Sequence, residues 1–302
     1  MLGLVSRINA KKRGVNLFTT SFCGDSSFRD KVINTLYGNL PSAIIDIIKW
    51  RYDEMRNNLF TSHLSYPSSP FSNTTVLTNT KDVLLEIDQT YFSGVSCLNH
   101  IWQYPNVGHD LPIWLDRPLD KDYPNEPEDA FDFKNQKRIM IIAQDPLRSI
   151  GGVGKMYISS VFGLHSKDWR RDLTTTKIFN KLLKEQCCLY LTDYNKFFVE
   201  GRTKSNKHVK FLTGNFQKML FNEISLFDPD LIVTWGQQAS YSLLNKYKSI
   251  NYFPTNPTPY IFNEIKVLPV YHTNYRMSMS YINDKKYDTK VNLYINEILN
   301  TL

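Results

Sequence analysis

Cysteine is scarce: the 302 residues hold four, Cys23, Cys97, Cys187 and Cys188, with no Cys-x-x-Cys spacing. That argues against the common zinc and iron–sulfur arrangements and predicts a reduced, cytoplasmic chain with neither metal nor cofactor. No run of 18 apolar residues occurs, so no membrane-spanning helix is expected. The opening MLGLVSRINAKKRG has too short an apolar stretch for a signal peptide, and its charges follow that stretch. A nucleotide phosphate loop is missing too. In the stretch that ends GGVGKM, Ser149 stands where the first glycine of such a loop belongs, and Met156 replaces the hydroxyl residue after Lys155.

What is present is apolar mass and positive charge. Hydrophobic residues make up 42% of the chain and aromatics 14%, enough to bury a substantial core. Net charge is +7, but residues 110–132 carry eight acids against two bases, a local −6, which leaves the rest of the chain at +13. Such a body suits a polyanionic partner such as nucleic acid, although a merely soluble basic protein carries the same charge; a monomer is expected.

The chain changes character along its length. Residues 1–110 read as mainly helical: SSFRDKVINTLYG opens on serines and closes on glycine, and PSAIIDIIKWRYDEMRNNL carries Ile44, Ile45, Ile48 and Tyr52 on one face. VLLEIDQTYF reads as a further helix, after a long loop rich in Ser, Thr, Pro and Asn. Residues 111–136 are an acidic, proline-punctuated connecting segment. From 137 to 302 short apolar runs alternate with helical patterns: KRIMIIAQ, MYISSVFG, CCLYLTD, DPDLIVTWG and EIKVLPVYH as strands, with helices between and after them. Strands apolar on both faces and separated by helices predict an α/β domain, a mostly parallel sheet of about four strands covered on both sides. Ligands of such sheets sit beyond the carboxyl ends of the strands.

Three of those ends carry polar groups in turn: Gln144-Asp145-Pro146, Thr192-Asp193-Tyr194 and His272-Thr273-Asn274. Any one exit reads as an ordinary solvated turn. Three ends of one sheet, each with a group able to ionise or hydrogen-bond, read as a crevice.

In this order and context the motifs resemble the uracil-DNA glycosylase superfamily, over about residues 137–300. IIAQDP is similar to that family's water-activating motif, VFGLHS to the segment whose phenylalanine stacks on the extruded base, and YLTDYNK to the strand end whose asparagine reads the base. LIVTWGQQA resembles the junction that approaches DNA phosphates, and PVYHTNYRMS the histidine-headed loop that enters the minor groove. The resemblance implies a DNA glycosylase with a mainly helical N-terminal extension. It makes Asp145 and His272 the catalytic pair, with Gln144, Leu147, Phe162 and Asp193 around the base. Phosphate contacts are expected from Arg148, Lys155, Lys196, Gly236 and Arg276 flanking the crevice. A carboxylate at Asp145 would stabilise oxocarbenium character on the sugar and orient water, and Pro146 would hold it at the lip of the strand. His272 would stabilise charge on the departing base.

Three departures qualify the resemblance. Leu147 replaces the tyrosine that blocks a pyrimidine 5-substituent in the family. The base-reading asparagine becomes Asp193 when the motif is aligned through Lys196, whereas a shift of one residue puts Thr192 there. Thr-Asn-Tyr follows His272 where proline and small residues are usual. An ionised aspartate only accepts hydrogen bonds, which suits the amino group of cytosine and not O4 of uracil. The two pocket changes together imply a 5-substituted cytosine, a base found in some bacteriophage genomes, and hence a role in antiphage defence. A tolerant uracil glycosylase and a non-catalytic DNA-binding module on the same fold remain the alternatives.

Overall fold

The computed structural model describes residues 26–38, 40, 42, 45, 46, 48–50, 107–115, 136–144, 158–163, 174–199, 213–245, 250, 252, 260–273 and 289–302. Its frame is a six-stranded sheet. β3 (Lys137–Ala143), β5 (Cys187–Asp193), β7 (Leu231–Trp235) and β9 (Ile265–Val270) run parallel in the order β5-β3-β7-β9. β2 (Ile113–Leu115) and β8 (Tyr260–Phe262) close the two edges antiparallel. The parallel sheet of about four strands expected from the alternating pattern is therefore present, widened by one edge strand on each side.

The apolar runs are explained by burial on both faces. Along β3, Ile139 and Ile141 enter one core while Met140 and Ile142 enter the other. All seven residues of β5 and all five of β7 are buried. On the first face lie α2 (Thr174–Lys184), through Ile178, Phe179, Leu182 and Leu183, and α5 (Lys290–Thr301), through Leu293, Tyr294, Ile295 and Ile298. On the second lie α3 (Thr213–Phe227) and α4 (Gln237–Leu244), joined by α1 (Ser26–Tyr37). Val32, Ile33, Leu36 and Tyr37 of α1 belong to the same apolar cluster as α3, so this part of the N-terminal region is built into the core.

The helix limits follow local chemistry. α1 starts at the serines and ends where the Gly38 amide donates to the Asn34 carbonyl, as the Ser…Gly pattern predicts. Thr289 caps α5, its hydroxyl accepting from the Asn292 amide. The VLLEIDQTYF helix expected near residue 85 lies outside the described residues. Residues 45, 46 and 48–50 are helical, as the PSAIIDIIKW pattern predicts.

Three short strands form a second sheet in the order β4-β1-β6: β4 (Ile158–Ser160), β1 (Val107–Leu111) and β6 (Phe197–Val199). The strand expected in MYISSVFG is thus present but stands outside the main sheet. β1 and β2 occupy residues read from sequence as helical region and connecting segment; pairing with distant strands, not local pattern, makes them strands. β8 and β9 meet at Asn263-Glu264, both at positive φ (48° and 69°), a hairpin turn that suits Asn at its first position.

A buried ion pair lies in the core among the described residues. Lys196 and Glu223 are 1% and 0% exposed, and the ammonium nitrogen stands 2.6 Å from a carboxylate oxygen of Glu223. The Thr192 hydroxyl donates to Glu223 at 3.0 Å and accepts from Lys196 at 2.7 Å. Burial pushes the Glu223 carboxyl up, and the adjacent Lys196 charge opposes that rise. Removing one partner leaves an uncompensated buried group. Lys196→Met is expected to cost about 3–5 kcal/mol, and the pair Lys196→Met/Glu223→Met to recover most of it. Denaturant unfolding of the two variants checks this; a double variant no more stable than the single one contradicts it.

Candidate functional site

Strand register brings the polar exits to one edge. Ala143 of β3 pairs with Asp193 of β5, Ile142 with Thr234 of β7, and Trp235 with Val270 of β9. Gln144, Gly236 and the Tyr271–Thr273 turn therefore leave the sheet on the same side, within three residues beyond the last pair. The turns are laid on one another through the backbone. The Tyr194 amide donates to the Ala143 carbonyl at 2.8 Å, Asn195 to Gln144 at 3.0 Å, and Gly236 to Val270 at 2.8 Å.

Side-chain alternation sorts Thr192 from Asp193. Thr192 faces the second core, where Glu223 and Lys196 occupy its hydroxyl. Asp193, 2% exposed, follows Leu189 and Leu191 onto the first face. Phe162 lies on that same face, in a tight turn (Val161–Gly163) that touches β5. Phe162 is half-buried and holds φ 57°, ψ 11°, a left-handed conformation that an aromatic residue rarely adopts. Its ring meets Phe179 at 5.2 Å and Trp235 at 6.1 Å, both edge to face. Strain of this kind costs roughly 1–3 kcal/mol and persists only where the surroundings enforce it.

Gly236 joins β7 to α4 at φ 96°, where any β-carbon is strained. A β-carbon built there would lie 3.9 Å from Cβ of His272, which places the start of α4 directly beside the histidine. Ser240 fastens that helix start, its hydroxyl donating to the Gly236 carbonyl at 2.8 Å and meeting Thr234 at 2.8 Å.

His272 is exposed at the lip, yet the protein around its ring desolvates it enough to hold its pKa below the ordinary 6.5. Its neighbours are tied down. The Tyr294 hydroxyl donates to the Tyr271 carbonyl, and Lys290 donates to the Thr273 carbonyl at 2.9 Å. Thr273 and Thr175 share a hydroxyl hydrogen bond of 3.1 Å.

Of the sequence-predicted residues, the structure places Asp193, Phe162, Gln144, Gly236 and His272 at this carboxyl edge. Lys196 is a correction: its buried ammonium is engaged by Glu223 and Thr192, so it has no face to offer a phosphate. Asp145, Leu147, Arg148, Lys155 and Arg276 lie outside the described residues. Sequence reading missed Phe179 and Trp235 against Phe162, Tyr294 against Trp235, and Thr175 and Lys290 on Thr273 beside His272. The long-range pairs among them leave no trace in any local pattern. Among the described residues, no group of three or more His, Cys, Asp or Glu side chains gathers to hold a metal, and no helix is long and apolar enough to cross a membrane.

The desolvated imidazole makes a checkable statement. As pH falls, the unfolded chain takes up this proton before the folded chain does, so stability is lost below 6.5 and untouched by this group above it. The His272 resonance, assigned by its loss in His272→Gln, should titrate below 6.5; a midpoint at or above that value contradicts the desolvated setting.

The family model of the uracil DNA glycosylase superfamily matches residues 131–296, more than half of the chain. No individual curated protein matches it. The matched range holds all four parallel strands and every site position discussed above, while α1, β1 and β2 precede it. Matched over more than half of its length, the chain belongs to the uracil DNA glycosylase superfamily.

Proposed function

We propose that the chain is a monofunctional DNA glycosylase that flips a 5-substituted cytosine out of phage DNA and hydrolyses its N-glycosidic bond. One observation carries the reading: Asp193 and Phe162 share a sheet face at the edge where His272 also stands. A base on the stack cannot be reached by groups sunk at strand ends, so it must be extruded. Phe162 then supplies a ring to lie against it.

In the reaction, water adds to C1′ as the bond from C1′ to the base nitrogen breaks, and the bonding electron pair leaves with the base. Asp145, one residue beyond Gln144 at the end of β3, orients the water, accepts its proton and stabilises positive charge on the sugar. His272, with its lowered pKa, is neutral at pH 7 and donates a hydrogen bond to the carbonyl oxygen of the departing base. No covalent adduct with the chain is needed, so the product is an abasic site.

Base choice follows from Asp193. Ionised, it accepts from the cytosine amino group and repels the O4 of uracil, and leaving a buried group unpaired costs about 1–3 kcal/mol. Leu147 in place of tyrosine leaves room at the 5-position. Ordinary cytosine has to be refused in the host genome, so binding energy from the 5-substituent drives extrusion or closure. A DNA-acting chain with unpatterned cysteines fits the cytoplasm, where invading DNA arrives.

Incubation with DNAs carrying uracil, cytosine or 5-substituted cytosines, scored by alkali-labile sites, tests the whole reading. Efficient removal of uracil with indifference to every substituted cytosine would favour a repair enzyme instead. Within an active chain, Asp145→Asn is expected to lower excision at least about a hundredfold while leaving DNA affinity largely intact. Retention of full activity would remove Asp145 from the mechanism. Asp193→Asn restores a donor and is expected to shift preference toward uracil; an unchanged base preference would take base reading away from this position.

A further inference from the structure

His272 is exposed, but the residues on either side of it are not free to move. Before it, the Tyr271 carbonyl accepts from the Tyr294 hydroxyl, and the Tyr271 ring stacks on Tyr252 at 4.3 Å. After it, Thr273 is 5% exposed, its hydroxyl engaged by Thr175 of α2 and its carbonyl by the Lys290 ammonium of α5. α5 is in turn tied to β9 at its far end, where Lys266 donates to the Thr301 and Leu302 carbonyls at 2.9 and 3.1 Å. The helix therefore spans the strand like a brace, fixed at the strand's start by Lys266 and beyond its end by Lys290.

We propose that Lys290, acting with Thr175, is a positioning residue for His272, holding the imidazole where the departing base will lie. The proposal rests on the glycosylase reading of the site. Its physical basis is the residue that follows the histidine. A proline there would hold the chain by its fixed φ. Thr273 has no such restriction, so the turn must be held by tethers to other elements. A charged donor on a carbonyl is a strong tether, and an ammonium on a flexible stem reaches the carbonyl from a helix 17 positions along the chain. Catalytic groups displaced by about 1 Å can lose on the order of a hundredfold in rate, so holding the turn has a kinetic consequence.

The test is a cycle of four full-length chains: wild type, Lys290→Met, His272→Ala and the double variant, each measured for DNA affinity and for single-turnover excision. Lys290→Met is expected to slow excision on the order of tenfold, with affinity within about twofold of wild type. Lys290→Arg, which keeps a charged donor, should restore most of the rate. In the His272→Ala background, Lys290→Met should change the rate by less than about twofold, because the group it positions is gone. Equal losses in both backgrounds would overturn the proposal, as would a loss confined to affinity, which would make Lys290 a phosphate contact. Thr175→Val, which removes only the hydroxyl partner of Thr273, enters the same cycle if Lys290→Met does not fold. A wild-type chain that excises no base overturns the glycosylase reading and the proposal together, whereas an active chain with additive losses overturns the proposal alone.

Discussion

The whole site depends on four parallel strands buried on both faces and ending level with one another. Because neither face of β3, β5 or β7 meets water, their backbone groups must pair with neighbouring strands, and a slip of register would leave buried amides without partners. That pairing sets Ala143 against Asp193 and Trp235 against Val270. Chemistry placed at these pairs or within two residues past them is gathered automatically. Gln144, Asp193, Gly236 and His272 need no contact with each other to converge; they inherit convergence from the ladder.

Depth then separates polar groups that lie close together along the chain. Thr192 and Asp193 are adjacent, yet one turns to a closed network with Lys196 and Glu223 and the other to the aromatic face of Phe162 and Trp235. The network draws the turn after β5 against α3 from behind. In front, the backbone of that turn rests on the end of β3 through the Tyr194 and Asn195 amides. Asp193 is held between the two. The histidine at the opposite end of the crevice is held differently, by hydrogen bonds from α2 and α5 to the residues beside it. Those bonds hold the backbone on either side of its ring.

The region ahead of the family match is also part of this framework. β2 closes the main sheet against β5, and β1 lies between β4 and β6, the strands that lead into Phe162 and away from Lys196. α1 buries four apolar side chains against the cluster that contains α3. These contacts make residues 26–37 and 107–115 structural partners of the glycosylase-like domain, whatever further role the N-terminal region has.

The sequence by itself determined the parallel strands, the helices between them and the edge where chemistry would gather. Those depend on local periodicity and on composition, and KRIMIIAQ or DPDLIVTWG can be read without knowing their neighbours. It also supplied the candidate residues, because a polar group at the end of an apolar run is visible in one dimension. Only the tertiary structure decided which way each residue faces. Lys196 looked like any cation beside a crevice until Glu223, 27 positions away, was found to occupy it. Asp193 and Thr192 face opposite sides of the sheet, the one covered by α2 and the other by α3. The short strands β1, β2, β6 and β8 likewise emerged only from their partners. Facing, pairing and tethering are contacts between residues distant in sequence, and no local pattern carries the energy that selects them.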